Sequence, residues 1–286
     1  MLGAIEAGGT KFVVAVGDEN GKIIKKDSFP TTTPNETMQK VFAFFDKEDI
    51  SALGIGCFGP VDLDKESSSY GYITTTPKEG WKNFDIRGSL QARYPHIHVG
   101  IDTDVNASAY GEAKYGQGKN ISDFIYLTIG TGIGGGAFIN GQIVHGMLHP
   151  EMGHMRLTKR ADDSYIGKCE FHHTCFEGLA AGPAIEARWS QKGQELDVNH
   201  PAWDLEAWYI AQALANYVCV LSPKKIILGG GVMHQTQLFP MIRKYLQESL
   251  NGYIDRKEII SDDYIVAPQL GDNAGIIGAF VIAQNS

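Results

Sequence analysis

The fold prediction begins with the stretch Glu6-Ala7-Gly8-Gly9-Thr10-Lys11 near the N-terminus. The apolar residues before it and the β-branched run at 12–16 after it predict two strands joined by a glycine turn. Asn20-Gly21 follows, and this dipeptide is typical of the tight turn of a β-hairpin. The N-terminal part of the chain is therefore predicted to form three consecutive strands.

The same layout recurs near the middle of the chain. An apolar run at 124–129 is followed by Gly130-Thr131-Gly132, by a second β-rich run at 136–139 and by the hairpin signal Asn140-Gly141. Two copies of one supersecondary plan indicate two similar lobes that arose by duplication. Glycine turns between strands are common, so a chance similarity is the alternative.

The remaining sequence alternates predicted strands with predicted helices, which is typical of the α/β class. Thr33-Pro34-Asn35-Glu36 has the signature of a helix start. Pro183 is expected either to start a new helical stretch or to kink the preceding one. Further strands are predicted at 52–58, 99–101 and 225–228, further helices at 177–189, 203–221 and 233–250, and a loop entering a final apolar helix at 271–283.

Composition narrows the possible functions. The chain has 286 residues, which suggests two domains, and it is 43% apolar and 20% charged. A net charge of −8 without a dense run of Lys or Arg argues against nucleic acid and anionic membranes as partners. No run approaches the roughly 18 apolar residues of a membrane span. Four cysteines are too few for a disulfide scaffold, which favours a reducing, cytoplasmic setting, and Cys57 and Cys219 are expected to be core thiols.

Four glycine-rich turns at strand ends favour the binding of a nucleoside triphosphate. Glycine allows the backbone to approach a ligand closely, and successive free N–H groups bind anions. Thr10 and Thr131 add hydroxyl donors, and Lys11 adds a positive charge. The Walker A and Rossmann spacings are both absent. The four turns are Gly8-Gly9-Thr10-Lys11, Gly130-Thr131-Gly132, Gly229-Gly230-Gly231, and Gly271 with Gly275.

Transfer of a phosphoryl group to a hydroxyl requires a base near the acceptor. Asp104 is a candidate because it lies where a predicted strand passes into a helix, whose N-terminus would hold the carboxylate. The alternative is that Asp104 only caps this helix, a task that Thr103 can also perform. Asp102 is a competing base, but it is expected on the opposite side of the extended segment. Glu6 could hold Mg²⁺ through water.

A set of cysteines and histidines predicts a zinc site. Cys169, His172 and Cys175 are spaced three residues apart, and His154 lies 15 residues before Cys169. Two thiolates and two imidazoles fill the four positions of a tetrahedral zinc, which would therefore be structural. His173 could take the place of His172.

His149 could likewise take the place of His154. Two acidic residues, Glu151 and Glu177, flank the proposed metal. A zinc loop would fix both carboxylates as acceptors for substrate hydroxyls, and paired carboxylates suit the recognition of a polyol.

These segments together resemble the ROK family of bacterial sugar kinases, and within it the zinc-containing fructokinases. Two departures from the glucokinases of the family, Thr103 in place of Asn and His172 in place of a third Cys, fit the fructokinase branch. The similarity covers nearly the whole chain. It is carried by Glu6-Ala7-Gly8-Gly9-Thr10-Lys11, Gly56-Cys57-Phe58-Gly59-Pro60-Val61, Thr76-Pro77 with Trp81, Asp104-Val105-Asn106, Ile129-Gly130-Thr131-Gly132-Ile133-Gly134, Glu151-Met152-Gly153-His154 with the Cys/His run, and Leu228-Gly229-Gly230-Gly231-Val232.

The resemblance implies an α/β, actin-like ATPase fold of the ribonuclease-H-like type, with two similar lobes and a central cleft. Residues 1–116 would form the N-terminal lobe and residues 117–286 the C-terminal lobe, with the final helix packing back on the first lobe. It also implies Mg-ATP as the donor, a structural Zn²⁺, transfer to the 6-hydroxyl of a hexose, first of all fructose, and a homodimer. Another hexose (glucose, mannose or an N-acyl hexosamine) is the alternative, followed by a sugar-binding regulator without turnover. Only five residues precede Glu6, so a DNA-binding helix-turn-helix is not expected.

The resemblance finally assigns roles to individual residues, with Asp104 as the general base. The substrate would be bound by Gly59, Pro60, Thr103, Asp104, Glu151, His154 and Glu177. ATP would be bound by Gly8, Gly9, Thr10, Lys11, Gly130, Thr131, Gly132, Pro183, Gly229, Gly230 and Gly231. Zinc would be bound by His154, Cys169, His172 and Cys175, and Mg²⁺ would be held through water by Glu6.

Overall fold

A computed structural model describes the whole chain, residues 1–286. The chain divides into two compact units, and the first is assembled from three separate stretches of sequence. Unit 1 comprises Met1–Asn120, Ile143–Pro150 and Gln269–Ser286, and unit 2 comprises Ile121–Gln142 and Glu151–Pro268. The C-terminal helix therefore belongs to unit 1.

Strands and helices alternate along most of the chain. The strands are β1 (Leu2–Ala7), β2 (Lys11–Gly17), β3 (Ile23–Pro30), β4 (Ala52–Cys57), β5 (Tyr72–Ile73), β6 (Phe84–Asp85), β7 (His98–Thr103), β8 (Phe124–Ile129), β9 (Ile133–Ile139), β10 (Gln142–Ile143), β11 (Lys225–Gly229) and β12 (Ile265–Val266). The helices are α1 (Pro34–Phe45), α2 (Ile86–Arg93), α3 (Asp104–Tyr115), α4 (Phe176–Ala180), α5 (Gly182–Trp189), α6 (Ala202–Leu221), α7 (Leu238–Leu250), α8 (Lys257–Ile260) and α9 (Ala274–Gln284). Short 3₁₀ turns lie at Met152–His154, Gly193–Glu195, Gly231–His234 and Gly271–Asn273.

Each unit contains a five-stranded sheet, and the two sheets share one plan. The first has the order β3-β2-β1-β4-β7 and the second the order β10-β9-β8-β11-β12. In both sheets, the central strand pairs antiparallel with the next strand of the chain and parallel with a later one. These pairs are β1 with β2 and β4 in the first sheet, and β8 with β9 and β11 in the second. At the second hairpin, Asn140 and Gly141 both have positive φ angles, 53° and 78°, as a type I′ turn requires. The prediction of two similar lobes is confirmed.

The parallel strands of the first sheet end in register. Ala7 at the end of β1 pairs with Cys57 at the end of β4, and Cys57 pairs with Thr103 at the end of β7. Because the carboxyl ends of parallel strands meet at one edge of a sheet, the segments that follow these three residues leave the sheet side by side.

The apolar helix α9 packs on the first sheet and on α3 through glycines. A Cβ atom at Gly54 of β4 would overlap the Ala279 carbonyl oxygen, and a Cβ atom at Gly278 of α9 would overlap the Ala107 carbonyl oxygen. The backbones therefore approach more closely than any side chain would permit. This contact fixes the last stretch of the chain against β4 and α3.

Two helices differ in detail from their sequence predictions. The stretch 177–189 is divided at Ala181, and α5 begins at Gly182 with Pro183 in its first turn, so the proline starts a new helix. The stretch 233–250 is divided into the 3₁₀ turn Gly231–His234 and α7, because the Met233 N–H donates to the Gly230 carbonyl only three residues back.

The expectation for the two isolated cysteines is half correct. Cys57 is fully buried in β4, and burial raises the pKa of its thiol well above the ordinary value. Cys219 is exposed, so its prediction as a core thiol is wrong. It lies in the last turns of α6, a helix that is apolar on most of its circumference, so hydrophobic periodicity does not show which face is buried.

None of the helices combines the length and the apolar character that crossing a membrane would demand.

The glycine contact of α9 can be tested by Gly278→Ala. Alanine favours a helix over glycine by about 1 kcal/mol, but overlap with the Ala107 backbone costs roughly 1–3 kcal/mol or more. We expect a net destabilisation of about 1–2 kcal/mol, measured by denaturant unfolding. Gly146→Ala is the control, because its Cβ atom would meet nothing closer than 3.6 Å. An unfolding midpoint for Gly278→Ala at or above that of the wild type would contradict the packing argument.

Candidate active site

The turn between β1 and β2 is compact on one side and open on the other. The Gly8 N–H donates to the Lys11 carbonyl at 3.0 Å, and the Thr31 hydroxyl donates to the Gly8 carbonyl at 2.6 Å. A Cβ atom at Gly8 would lie 2.7 Å from the Lys11 carbonyl oxygen, whereas one at Gly9 would meet nothing within 4 Å. Thr10 and Lys11 are exposed on this open side, which is therefore accessible to an anionic ligand.

Glu6 lies behind this turn and close to the start of α9. A Cβ atom at Gly275 would be 2.7 Å from the Glu6 carboxyl carbon, so only glycine allows this approach. Burial raises the pKa of Glu6, and the charges of Lys11 and Lys26 act in the opposite direction. Gly275 therefore makes room for an acidic side chain, in addition to its predicted part in a glycine turn.

Asp104 stands at the junction between β7 and α3. Thr103 is the N-cap of α3, because its hydroxyl oxygen accepts from the Asn106 N–H at 3.1 Å. Asp104 is the first helical residue, and its carbonyl accepts from the Ser108 hydroxyl at 3.0 Å. Its carboxylate accepts from the Val105 N–H at 2.9 Å. Thr103 is therefore the cap of α3, and the alternative that Asp104 only caps this helix is excluded.

The loop after β4 carries Gly59 and Pro60, which are joined by a cis peptide bond. The Pro60 carbonyl accepts from the Thr74 N–H at 2.8 Å, and the buried ring of His149 accepts from the Val61 N–H through Nε2 at 3.2 Å. His149 thus contacts the Gly59–Val61 loop in unit 1. It is not part of the metal-ligand cluster.

In unit 2, three segments that were predicted to bind ATP converge on Gly130. The Gly182 N–H, at the start of the helix that contains Pro183, donates to the Gly130 carbonyl at 2.7 Å. A Cβ atom at Gly130 would lie 3.7 Å from the Gly231 nitrogen. Gly230 has a φ angle of 90° and packs against Ile129, a backbone conformation that favours glycine. The residues of the second and third glycine turns and of the α5 N-terminus are thereby brought together.

The predicted zinc ligands form one cluster. The Sγ atom of Cys169 lies 3.8 Å from His154 Nδ1 and 3.7 Å from His172 Nδ1, and the Sγ atom of Cys175 lies 3.6 Å from His154 Nδ1. All four ligand atoms lie within 4.8 Å of one another. Zinc bonds of about 2.3 Å to sulfur and about 2.0 Å to nitrogen place tetrahedral S and N ligands roughly 3.6 Å apart. The cluster therefore fits a structural zinc.

Of the two candidates for the third ligand, His172 belongs to the cluster and His173 does not. His173 is exposed, and its N–H donates to the Cys169 carbonyl at 2.9 Å, with a positive φ angle of 52°. This tight turn reverses the chain between Cys169 and Cys175, and it leaves His172 directed at the cluster.

The two acidic residues next to the cluster have different environments. Glu151 is exposed and immediately precedes the 3₁₀ turn that carries His154. Glu177 lies in α4, two residues after Cys175, and its Oε2 atom accepts from the Ile133 N–H at 2.9 Å. Glu177 therefore connects the Cys/His loop to the Gly130–Gly132 turn. This contact has no local sequence signal, because Glu177 and Ile133 are far apart in the chain.

The architecture is that of known sugar kinases. The structure matches a ROK family glucokinase from Streptomyces griseus, solved in complex with glucose and AMPPNP, with a TM-score of 0.77 at 26% identity over 99% of this chain and 98% of that one. It matches the ROK hexokinase from Thermus thermophilus with a TM-score of 0.81 at 25% identity over the same shares. The actin-like ATPase fold is thus confirmed.

The particular family follows from the sequence comparison. The model of the ROK family matches residues 2–286, and the chain belongs to this family. A fructokinase from Pediococcus pentosaceus is 48% identical over 99% of this chain and 98% of its own length. A fructokinase from Zymomonas mobilis is 39% identical over 99% and 96%, whereas a glucokinase from Streptomyces coelicolor is 27% identical over 98% and 96%.

The metal cluster can be tested with two cysteine variants. We expect Cys175→Ala to lower the zinc content from about one ion per chain to a small fraction, because a tetrahedral site loses one of its four ligands. Zinc is measured by inductively coupled plasma mass spectrometry. Cys219→Ala removes an exposed thiol outside the cluster and serves as the matched control. Equal zinc content in the two variants would contradict the assignment.

Proposed function

We propose that the protein is an ATP-dependent fructokinase that transfers the γ-phosphoryl group of ATP to the 6-hydroxyl of D-fructose. The observation that carries this proposal is the similarity over the full chain to several curated fructokinases, at 39–48% identity, against 27% for the glucokinase of Streptomyces coelicolor. The geometry around Asp104 and the glycine turns supports the same reaction.

Asp104 is the proposed general base. Its position at the N-terminus of α3 favours a carboxylate, which can accept the proton of the sugar hydroxyl as that oxygen attacks phosphorus. Because Thr103 caps the helix, this proton transfer does not compete with the stability of α3. The bond from Ser108 to the Asp104 carbonyl fixes the backbone that carries the base.

The glycine turns are the proposed phosphate-binding elements. In unit 1, the open side of the Gly8–Lys11 turn offers backbone N–H groups, the Thr10 hydroxyl and the Lys11 ammonium group. In unit 2, the Gly130–Gly132 turn, Gly229–Gly231 and the helix start at Pro183 would bind the rest of the nucleotide. Mg²⁺ bound with ATP neutralises charge on the phosphates, and Glu6 would hold it through water.

The sugar-binding side is proposed to use both acidic and backbone groups. Glu151 and Glu177 accept hydrogen bonds from sugar hydroxyls, and His154 contributes while it ligates zinc. A zinc ion bound to His154, Cys169, His172 and Cys175 would fix the loop that carries these residues. Gly59, Pro60 and Thr103 complete the proposed set in unit 1. Phosphorylation of glucose is the second candidate, because glucokinases also match the full chain.

The remaining properties belong to the same proposal. The lobes 1–116 and 117–286 would carry the two halves of the catalytic machinery, and the chain would act as a homodimer, as the family resemblance implies. A cytoplasmic location is supported by four free cysteines, since thiols stay reduced there.

Substrate identity can be tested by coupled measurement of ADP release with fructose, glucose, mannose and N-acetylated hexosamines. We expect kcat/KM for fructose to exceed each of the others by about tenfold or more, because a misplaced hydroxyl leaves buried polar partners unpaired. The same assay without sugar gives the ATPase background. A larger kcat/KM for glucose than for fructose would overturn the assignment within the kinases, and ADP release that no sugar stimulates would overturn the kinase itself.

The role of the base can be tested by Asp104→Asn. An amide cannot accept the proton, so we expect kcat to fall by about 10²–10⁴-fold. Binding of ATP, measured by calorimetry, should stay unchanged. Asp49→Asn, at an exposed position, is the control and should keep full turnover. Near-normal kcat in Asp104→Asn would exclude the proposed mechanism.

A further inference from the structure

One segment of unit 1 has no part in the reaction as described so far. Ile143–Pro150 belongs to unit 1 although its neighbours in sequence belong to unit 2. Beyond Ile143 it has no helix or strand, and Met147 at its centre is 93% exposed. Its two histidines, in contrast, both bond to elements next to the proposed sugar-side residues. We refer to Ile143–Pro150 as the strap.

The first of these histidines bonds to Asp102. The Nε2 atom of His145 lies 3.0 and 3.2 Å from the two carboxylate oxygens of Asp102. The Asp102 side chain is buried, whereas the His145 side chain is 40% exposed. Since a carboxylate only accepts, the proton of this bond lies on Nε2. His145 thus closes the solvent side of a buried acidic group.

Asp102 in turn controls the first turn of α3. Its Oδ1 atom accepts from the Asn106 side-chain amide at 2.7 Å and from the Thr103 N–H at 2.8 Å. The other side-chain atom of Asn106, Oδ1, is buried without a hydrogen-bond partner, so the bond to Asp102 is the one that orients this amide. The residues that Asp102 bonds therefore flank Asp104 on both sides.

The second histidine bonds to the loop after β4. His149 is 8% exposed, and its Nε2 atom accepts from the Val61 N–H at 3.2 Å. Its ring also packs on Gly59, where a Cβ atom would lie 3.4 Å from the ring. The strap therefore contacts the end of β7 through Asp102 and the loop that follows β4 through Val61, and the ends of these two strands are in register.

We propose that the strap is a positioning element for the proposed kinase reaction, and that His145 positions the base Asp104 through Asp102. This inference rests on the proposed function. His145 does not touch the reacting atoms in this scheme, and it acts by holding the Asp102 carboxylate in the orientation that fixes Thr103 and Asn106. Loss of the His145 bond would let the first turn of α3 shift, and a displacement of about 1 Å at a reacting group lowers rates by about 100-fold.

The bond to Asp102 outweighs the surroundings that oppose a charged His145. The hydrogen bond to Asp102 raises the pKa of His145, while partial burial and the charge of Lys65 lower it. Tyr70 and Tyr110 also face Asp102, and burial is the larger cause of their raised pKa values. A raised pKa means that the extra stabilisation from the cation is complete below the ordinary histidine pKa of about 6.5 and is lost as pH rises through the raised value. The neutral ring with Nε2–H still donates above it.

Because His145 is partly exposed, its substitution can distinguish a positioning role from a purely structural one. A side chain that is 40% exposed contributes little to the core, so its removal should affect turnover more than stability. Glutamine supplies the decisive comparison, because its amide nitrogen can occupy the place of Nε2 and donate to Asp102, whereas alanine cannot.

The test compares His145→Ala, His145→Gln and the control Met147→Ala, which changes an exposed side chain of the same strap. We expect His145→Ala to lower kcat for fructose by about 10- to 100-fold, with KM for ATP and the thermal midpoint near the wild-type values. His145→Gln should recover kcat to within a few-fold, and Met147→Ala should behave as the wild type. Normal kcat in His145→Ala would overturn the proposal, and so would a glutamine variant as impaired as the alanine variant or a loss of activity that parallels a loss of stability.

A second measurement does not depend on turnover. Amide hydrogen exchange of the free protein should be faster in peptides that cover Thr103 and the first turn of α3 in His145→Ala, and it should return towards normal in His145→Gln. Unchanged exchange in both variants would overturn the proposed positioning role of the strap, even if the wild type phosphorylates fructose. A wild type that phosphorylates no sugar, with exchange altered as expected, would refute the proposed function and leave the positioning of α3 by His145 supported.

Discussion

The in-register pairing of β1, β4 and β7 is the constraint on which the proposed site in unit 1 depends. Ala7, Cys57 and Thr103 lie next to one another across the sheet. The first glycine turn, the Gly59-Pro60 loop and Asp104 each begin within two residues of these positions. A shift of one residue in either pairing would turn the affected side chains to the opposite face of the sheet. The backbone ladder therefore places these segments along one edge of the sheet.

The second sheet repeats this arrangement, but different contacts stabilise the segments at its strand ends. Gly229 at the end of β11 pairs with Thr128 of β8, so the second and third glycine turns again follow neighbouring parallel strands. In unit 1, glycines allow α9 to pack closely on the sheet and on α3. In unit 2, Glu177 accepts a hydrogen bond from the backbone beside the Gly130–Gly132 turn, and it lies close to the candidate zinc ligand Cys175. A metal that fixes the loop around Cys175 would thereby also fix one side of the proposed phosphate-binding turn. In the proposed reaction, the zinc loop would thus serve nucleotide binding as well as sugar binding.

Most features that depend on local sequence could be predicted, because turn chemistry and ligand spacing act over a few residues. The hairpins at Asn20-Gly21 and Asn140-Gly141 and the short spacing from Cys169 to Cys175 are of this kind. The choice between His172 and His173 could not be made from spacing, since it depends on a positive φ angle at His173. Contacts between distant segments left no local signal, as with the bonds from Asp102 to His145 and from Glu177 to Ile133. The exposure of Cys219 could not be predicted, because the sequence of an almost uniformly apolar helix does not reveal its exposed face.

The division of roles at the start of α3 explains why a threonine precedes the proposed base, Asp104. A catalytic carboxylate must be ionised before the reaction and still basic enough to take a proton during it. The helix N-terminus favours the ionised form, and if Asp104 were itself the cap, its oxygens would be committed to backbone N–H groups two or three residues ahead. Thr103 takes this task with its hydroxyl, and Asp102 takes the side-chain amide of Asn106. In the proposed mechanism, Asp102, Thr103 and Asp104 therefore separate anchoring, capping and proton transfer, and a substitution at any one of them would impair a different one of these properties.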